Sequence, residues 1–301
     1  MTSIPRNRVW SLPDFAMVGI IVLALAYAYL AVFAELVGDW SSNPDMSHGY
    51  FVPVVALWLL WLRSEMAPKG ESWRVGWGWV LAGGAAISLG AALRVGGILF
   101  RSTTVEAWSL MPIVAGLVMA LGGWKALRWA WPSVFFLVFM LPLPSVIGGM
   151  LKTNLQSIAT TASCYSLQVL GIPAISEGNV IWLSTQAVGV AEACNGLRML
   201  TSFFAISVAA CFVLDRPIWQ KVVLVLSAPM IGVIANTFRI TLTGIVYEQG
   251  VSESVSEFVH DFAGWIMMPL AIAILMVELW ILSGLVLPDE SGSPYEEQLS
   301  T

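Results

Sequence analysis

The segment VAEACNGLRML, residues 190–200, places several polar and reactive side chains at the start of an apolar run. Cys194 carries a thiol, whose thiolate form is the nucleophile that cysteine enzymes use. A helix start and a nearby cation both favour the thiolate, and Arg198 follows one helical turn later. Glu192 is placed to cap the helix or to orient a partner, and Asn195 adjoins the thiol. The segment predicts a reactive cysteine.

The alternative interpretation is that Cys194 is apolar filler, which is what we predict for Cys164 and Cys211. The chain has three cysteines, and they lie far apart without a CxxC pair. This spacing predicts neither a disulfide framework nor a zinc site. We therefore expect no metal and no cofactor.

A second candidate lies in ANTFRI, residues 235–240. Asn236 and Arg239 are three residues apart and share a helix face, with Thr243 one turn further. An arginine at the centre of a membrane span costs ~2.5 kcal/mol or more, so it usually faces a polar cavity or a partner. Its guanidinium would stabilise an oxyanion or bind a carboxylate, whereas the alternative is an anchor at the membrane interface.

The chain has two histidines. His260, followed at once by Asp261, is the expected general base or acid for a thiol, because imidazole titrates nearest neutral pH. His48 competes with it. Its neighbours Ser47 and Gly49 indicate a turn, so a capping or interface role for His48 is as open as a functional one.

The composition indicates an integral membrane protein, since 58% of the 301 residues are hydrophobic and 11% are charged. We predict an all-α, polytopic transmembrane helical bundle of about eight spans, preceded by a cytoplasmic segment 1–14 and followed by an acidic cytoplasmic tail 288–301. The first span is expected to remain uncleaved. The predicted spans, within a transmembrane domain 15–287, are 15–37, 49–63, 75–93, 104–122, 128–147, 195–214, 218–240 and 261–287.

A different kind of segment separates the fifth and sixth spans. Residues 151–170 mix polar and apolar positions at helical spacing, which predicts an amphipathic helix at the interface. Residues 178–193 alternate as strands do, which predicts a short β-hairpin on the outer face. Glu278 lies deep in the last span, too far along the helix from His260 to join it, and we expect it to pair within the bundle.

Lysine and arginine are retained on the cytoplasmic side of membrane proteins, so their positions predict the orientation. An N-terminus inside places Cys194, Arg239, His260 and His48 near the outer face. Of the basic residues outside the predicted spans' interiors, Arg94, Arg101 and Lys152 then fall outside the membrane. The others fall inside, namely Arg6, Arg8, Arg63, Lys69, Arg74, Lys125, Arg128, Arg216 and Lys221. We predict the bacterial cytoplasmic membrane, with the active site facing the periplasm or exterior.

Three separated boxes resemble the exosortase/archaeosortase family of membrane cysteine proteases or transpeptidases. The boxes are EACNGLR at 192–198, similar to the family's EACSGxR, ANTFRI at 235–240, similar to its N-x-x-R, and HDFAGW at 260–265. GIPAISEGNVIWL and SHGYFVP extend the likeness over most of the hydrophobic chain. The resemblance assigns the nucleophile to Cys194, the arginine to Arg239 and the third basic residue to His260. Asn195 departs from the commoner serine.

The resemblance implies an enzyme that processes exported proteins with a C-terminal sorting signal. Such a signal comprises a short motif such as Pro-Glu-Pro, a transmembrane helix and a basic cluster. Its tail helix would leave the motif at the outer face beside Cys194. Water or an amine, lipid or polysaccharide acceptor would release the product, so the expected partners are exported substrates, membrane lipid and that acceptor.

Two other classes stay open at this point. A transporter would line a path with Arg198, Arg239, His48 and His260 and would need polar residues throughout the bundle. A noncatalytic membrane assembly component would tolerate loss of Cys194. Nucleic acid binding has little support, because the net charge is −5 and no basic stripe is present.

Overall fold

The computed structural model describes residues 12–68, 75–190, 197–250 and 253–284. It confirms an all-α transmembrane fold with a small three-stranded sheet. The predicted terminal segments 1–14 and 288–301 lie outside the described residues, except that the first helix begins at Leu12. The helices are α1 (Leu12–Ala28), α2 (Leu30–Ser42), α3 (Val52–Leu62), α4 (Trp77–Leu99), α5 (Thr103–Trp108), α6 (Leu110–Phe136), α7 (Ser145–Val169), α8 (Leu197–Val213), α9 (Ile218–Glu248) and α10 (Glu253–Gly284).

Four helical stretches in the described chain are long and apolar enough to cross a membrane, fewer than the eight predicted spans. The first predicted span is α1 and α2, bent by 67° at a break beside Tyr29. The sixth and eighth contain the shorter apolar helices Leu197–Val213 and Pro269–Gly284. The four stretches are Pro44–Leu62, Trp77–Leu99, Thr103–Met140 and Ile218–Glu248.

The stretch Thr103–Met140 folds back on itself. The indole N–H of Trp108 donates a hydrogen bond to the carbonyl of Pro142 at 2.9 Å, although a straight helix would hold residues this far apart by about 50 Å. The reversal occurs at Gly123, whose φ of 66° and ψ of −164° belong to a region open almost only to glycine. The predicted spans 104–122 and 128–147 are therefore the two arms of one helical hairpin.

Helix α4 packs closely along the first arm of that hairpin because glycines line the contact. A Cβ added at Gly83 would lie 2.7 Å from the carbonyl oxygen of Gly116 and 2.7 Å from the amide nitrogen of Ala120. Gly90 and Gly97 meet the same arm at successive heptad steps. Small residues at this spacing let two membrane helices approach through their backbones.

The second arm connects to α2 and α3 by hydrogen bonds to its carbonyl groups. Trp40 donates to the Met140 carbonyl at 3.1 Å near one end. At the other end, Arg63 Nε donates to the Trp129 carbonyl at 3.1 Å and Trp129 Nε1 returns a bond to the Arg63 carbonyl at 2.7 Å. This arm therefore holds the first half of the bundle together at both ends.

The segment between the α6 helical hairpin and α8 forms the predicted amphipathic helix and the predicted β-hairpin. α7 covers the predicted amphipathic stretch 151–170 and buries one face, including Leu155, Ala159, Ser163 and Leu167. The predicted β-hairpin is confirmed as β2 (Val180–Leu183) paired antiparallel with β3 (Ala187–Gly189). The prediction missed a third strand, β1 (Ala174–Glu177), which pairs with β2 through a turn at Gly178, where φ is +58°.

Candidate active site

The structure describes the predicted site residues unequally. Cys194, with Glu192 and Asn195, lies in 191–196, outside the described residues. His260 and Asp261 are placed by the backbone of α10. Of the three predicted catalytic residues, Arg239 on α9 is therefore the one whose side chain the structure describes.

Helices α8 and α9 run antiparallel, and their contacts fix the level at which α8 begins. The Cys211 thiol donates to the Lys221 carbonyl at 3.4 Å, and a Cβ on Gly232 would lie 3.3 Å from the Leu200 Cα. One residue back along α8 thus corresponds to about one residue forward along α9. Continued to the first residue of α8, this register places Leu197 level with Ala235, one turn before Arg239.

The residue on the other side of 191–196 shares a buried apolar cluster with α9. Val190 is 3% exposed and belongs to an apolar cluster with Leu167 and Ile240. Its amide donates to the Asn179 carbonyl at 2.8 Å, and its own carbonyl accepts a hydrogen bond from Gln156 Nε2. Of the two residues that flank the Cys194 segment, Leu197 therefore lies level with Ala235, and Val190 shares a buried apolar cluster with Ile240.

Arg239 lies inside the bundle and not at its outer surface. Its side chain is 9% exposed, and those of Asn236 and Thr243, which share its helix face, are 1% and 5% exposed. The Thr243 hydroxyl donates to the Arg239 carbonyl at 3.0 Å. An interface anchor would keep its guanidinium in the polar layer, so this burial favours a role facing the interior.

Helix α7 adds further polar groups to this level of α9. The Ser163 hydroxyl donates to the Thr237 carbonyl at 3.2 Å, and Thr160, one turn before Ser163, is fully buried. The prediction of a polar site did not include α7, whose alternating serines and threonines were assigned only to an interfacial helix. The signal was present as hydroxyl residues at helical spacing.

Helix α10 packs antiparallel to α9. Gln220 Nε2 donates to the Leu282 carbonyl at 2.8 Å, and the Ser227 hydroxyl donates to the Glu278 carboxylate at 2.8 Å. By this register the backbone of His260 lies ~5–9 Å along the axis beyond Arg239, at 1.5 Å per residue. The backbone thus places two of the predicted catalytic positions within two turns of each other.

Arg198 and His48 occupy different surroundings. Arg198 is half-buried in the first turn of α8, and its Nε is buried without a hydrogen-bond partner among the described residues. His48 Nε2 lies 3.0 Å from the Phe139 carbonyl oxygen, which ties the 3₁₀ helix Pro44–Tyr50 to the end of the α6 hairpin. His48 is therefore tied to the α6 hairpin, and its 3₁₀ helix also contacts α8, in whose first turn Arg198 lies near the Arg239 level.

The buried guanidinium of Arg239 is suited to bind a peptide carbonyl or a carboxylate. A guanidinium presents several N–H donors in a planar fork, which suits a carboxylate or the oxyanion of a tetrahedral intermediate. Removal of water around a buried donor strengthens such an interaction. The described part of the site therefore suits stabilisation of the negative charge that develops during acyl transfer.

Comparison with protein-family models gives a match to the transmembrane exosortase family over residues 40–277. Comparisons with curated proteins and with solved structures gave no match. The matched range covers most of the chain and runs from the end of α2 through most of α10, with all three predicted sequence boxes. On this evidence the chain is an integral membrane protein that belongs to the transmembrane exosortase family.

Proposed function

We propose that this protein is a membrane cysteine transpeptidase or protease that cleaves the C-terminal sorting signals of exported proteins. Cys194 is the nucleophile, Arg239 stabilises the developing oxyanion or holds an acidic motif residue, and His260 transfers the proton. Family membership supports a membrane transpeptidase in general. The substrate signal and the residue roles are the proposal.

The observation that carries the proposal is the position of the two residues that flank the Cys194 segment. Val190 clusters with Ile240, and Leu197 lies level with Ala235 by the contacts of α8 with α9. Three Cα–Cα steps separate Cys194 from Leu197, and they reach at most ~11 Å. This reach extends to the level of Arg239, which supports the proposal that Cys194 and Arg239 act together.

The proposed reaction has two balanced steps. His260 takes the thiol proton of Cys194, and the sulfur attacks the carbonyl carbon of the scissile peptide bond. The C–N bond breaks, His260 returns the proton to the departing amine, and a thioester joins the substrate to Cys194. Water, or an amine, lipid or polysaccharide acceptor, then attacks the thioester and restores the thiol.

The site faces outward in the proposed orientation. The described basic residues Arg63, Lys125 and Arg216 cluster at the end of the bundle where Arg63 bonds Trp129 and where Trp131 contacts Phe212. Basic residues mark the cytoplasmic side, which puts the opposite end outside. The motif of a substrate whose tail helix is retained by its own basic cluster would emerge at that end.

The arrangement of polar residues disfavours a transporter. An apolar layer separates the Ser227–Glu278 pair from the Arg239 level; its described members include Ala228, Ile231, Ala271 and Leu275. A path for ions or protons needs polar groups or water through the whole bundle. This layer therefore favours an enzyme whose chemistry is confined to one end.

The decisive experiment expresses the protein with a substrate that carries an epitope after its tail helix. We expect Cys194→Ala and Cys194→Ser to leave the tail attached, because alanine has no nucleophile and the serine hydroxyl is a much weaker one than the thiolate. Cys211→Ala is the matched control, since its thiol is buried against Lys221 at the other end of α8 and the variant should permit normal release. Tail release at the normal rate by both Cys194 variants would refute the proposal.

A further inference from the structure

Strand β3 is an edge strand that leads directly toward Cys194. The sheet order is β1-β2-β3, so β3 has a neighbour on one side only. Gly189 ends the strand, and Cys194 follows five residues later. Five residues of extended chain span at most ~18 Å, which is the upper limit of the distance between this edge and the proposed nucleophile.

The register shows which backbone groups of β3 point away from β2. Leu183 donates to the Gln186 carbonyl at 3.0 Å, and Val190 donates to the Asn179 carbonyl at 2.8 Å. Hydrogen-bonded pairs alternate with non-hydrogen-bonded pairs in an antiparallel ladder. Ala187 and Gly189 fall in the non-hydrogen-bonded positions, so their N–H and C=O groups face the open edge.

This edge is accessible. Ala187 and Gly189 are both exposed, and a Cβ added at Gly189 would meet no atom within 4 Å. No hydrogen bond joins the outward groups of Ala187 or Gly189 to another described residue. An edge of this kind accepts a further strand readily.

The opposite edge of the sheet is partly closed. In the same ladder pattern the carbonyl of Ala174 on β1 faces outward, and Gln168 Nε2 from α7 donates to it at 2.8 Å. α7 therefore occupies the β1 edge. The two edges differ in availability, and the available one is continuous with the Cys194 segment.

We propose that β3 binds the extended peptide of the substrate as a fourth strand. The peptide that precedes the tail helix pairs its backbone with Ala187 and Gly189, which delivers the scissile bond to Cys194 about five residues further on. Main-chain pairing supplies affinity without depending on side chains, as in other cases of strand addition. This inference rests on the proposed function.

The first test removes one outward donor. Ala187→Pro deletes the N–H that faces the open edge and leaves the ladder with β2 intact, since proline is tolerated on edge strands. We expect kcat/KM for tail release to fall about tenfold, the scale of one lost hydrogen bond. Ser176→Pro is the matched control: it deletes an outward N–H of β1, at the opposite edge of the sheet, and should retain normal release. Thermal unfolding in detergent should match for both variants.

The second test detects contact without catalysis. In a variant with Cys164, Cys194 and Cys211 replaced by alanine, Ala187→Cys should form a disulfide with a substrate that carries one cysteine just before its motif. Ile175→Cys, on the exposed face of β1, is the control and should not trap the substrate, although it is 66% exposed. Equal trapping at both positions would overturn the proposal.

The outcomes also separate this inference from the function on which it rests. Normal release by Ala187→Pro, with inactive Cys194→Ala, would refute strand addition and leave the enzyme assignment standing. Disulfides between two copies of Ala187→Cys, formed whether or not substrate is present, would identify the edge as a self-association surface and refute substrate binding there. Normal release by Cys194→Ala would refute the function itself.

Discussion

The hydroxyl of Ser227 on α9 donates a hydrogen bond to the carboxylate of Glu278 on α10, with 2.8 Å between the two oxygens. This pair confirms the prediction that Glu278 would find a partner within the bundle. Together with the bond from Gln220 to the Leu282 carbonyl, it fixes the register of α9 against α10 at the inner end. The same register sets the height of His260 relative to Arg239.

Replacement of Glu278 tests whether this carboxylate is structural. Glu278→Gln retains a hydrogen-bonding group of the same size, so we expect unchanged tail release and an unchanged thermal unfolding midpoint. Ser227→Ala removes the interhelical bond and should lower stability by ~0.6 kcal/mol, the average for such bonds in membranes. Complete loss of cleavage in Glu278→Gln would instead indicate a proton-carrying role and revive the transporter hypothesis.

Adjacent glycines on α4 provide a matched pair for testing the helix contact. Gly83→Ala places a methyl group 2.7 Å from backbone atoms of the first α6 arm, so the helices must separate. We expect a loss of ~1–3 kcal/mol, as in other overpacked interiors. Gly84→Ala meets no atom within 4 Å and should stabilise the helix by ~0.5–1 kcal/mol.

Thermal unfolding of the two α4 variants in the same detergent measures this difference. The comparison is strict because the residues are neighbours on one helix and receive the same methyl group. Equal unfolding midpoints for Gly83→Ala and Gly84→Ala would contradict the close packing of α4 against α6.

The helical fold was predictable because the lengths and spacing of the apolar runs indicate membrane-spanning helices. The reversal at Gly123 was captured as two separate spans, although the sequence did not show that the break is a single glycine. The third strand, β1, was missed because four residues with three exposed positions carry almost no periodic signal. Its formation depends on pairing with β2 and on Gln168 from α7, which are tertiary contacts.

The types of residue in the candidate site were predictable from the sequence, whereas the tertiary contacts that hold the site in place were not. Chemistry limits the choice of nucleophile, cation and base to a few side chains, and Arg239 is buried as an interior arginine would be. The bond from Gln156 to the Val190 carbonyl joins residues 34 apart in the chain. No local pattern encodes such a contact, because it arises only when α7 and the sheet pack together.

The rate of tail release should depend on the planar geometry of the Arg239 guanidinium as well as on its charge. Arg239→Lys preserves the charge but replaces a planar fork with a single ammonium group. We expect kcat/KM for tail release to fall by about 10²–10³, the scale of a lost oxyanion donor. Arg216→Lys, on the exposed loop after α8, is the control and should leave release unchanged. Wild-type kinetics for Arg239→Lys would argue against a role in which the fork contacts substrate.

Labelling with a thiol reagent tests both the reactivity of Cys194 and the side of the membrane on which it lies. Cys164 and Cys211 are buried, so neither should react in the folded protein. In intact spheroplasts, a membrane-impermeant maleimide should therefore label one thiol, and Cys194→Ala should abolish the signal. Detergent-denatured protein should label at every cysteine present, which controls for thiol oxidation. Labelling that appears only in inside-out vesicles would place Cys194 on the cytoplasmic side and reverse the orientation, because the reagent reaches only the face to which it is added.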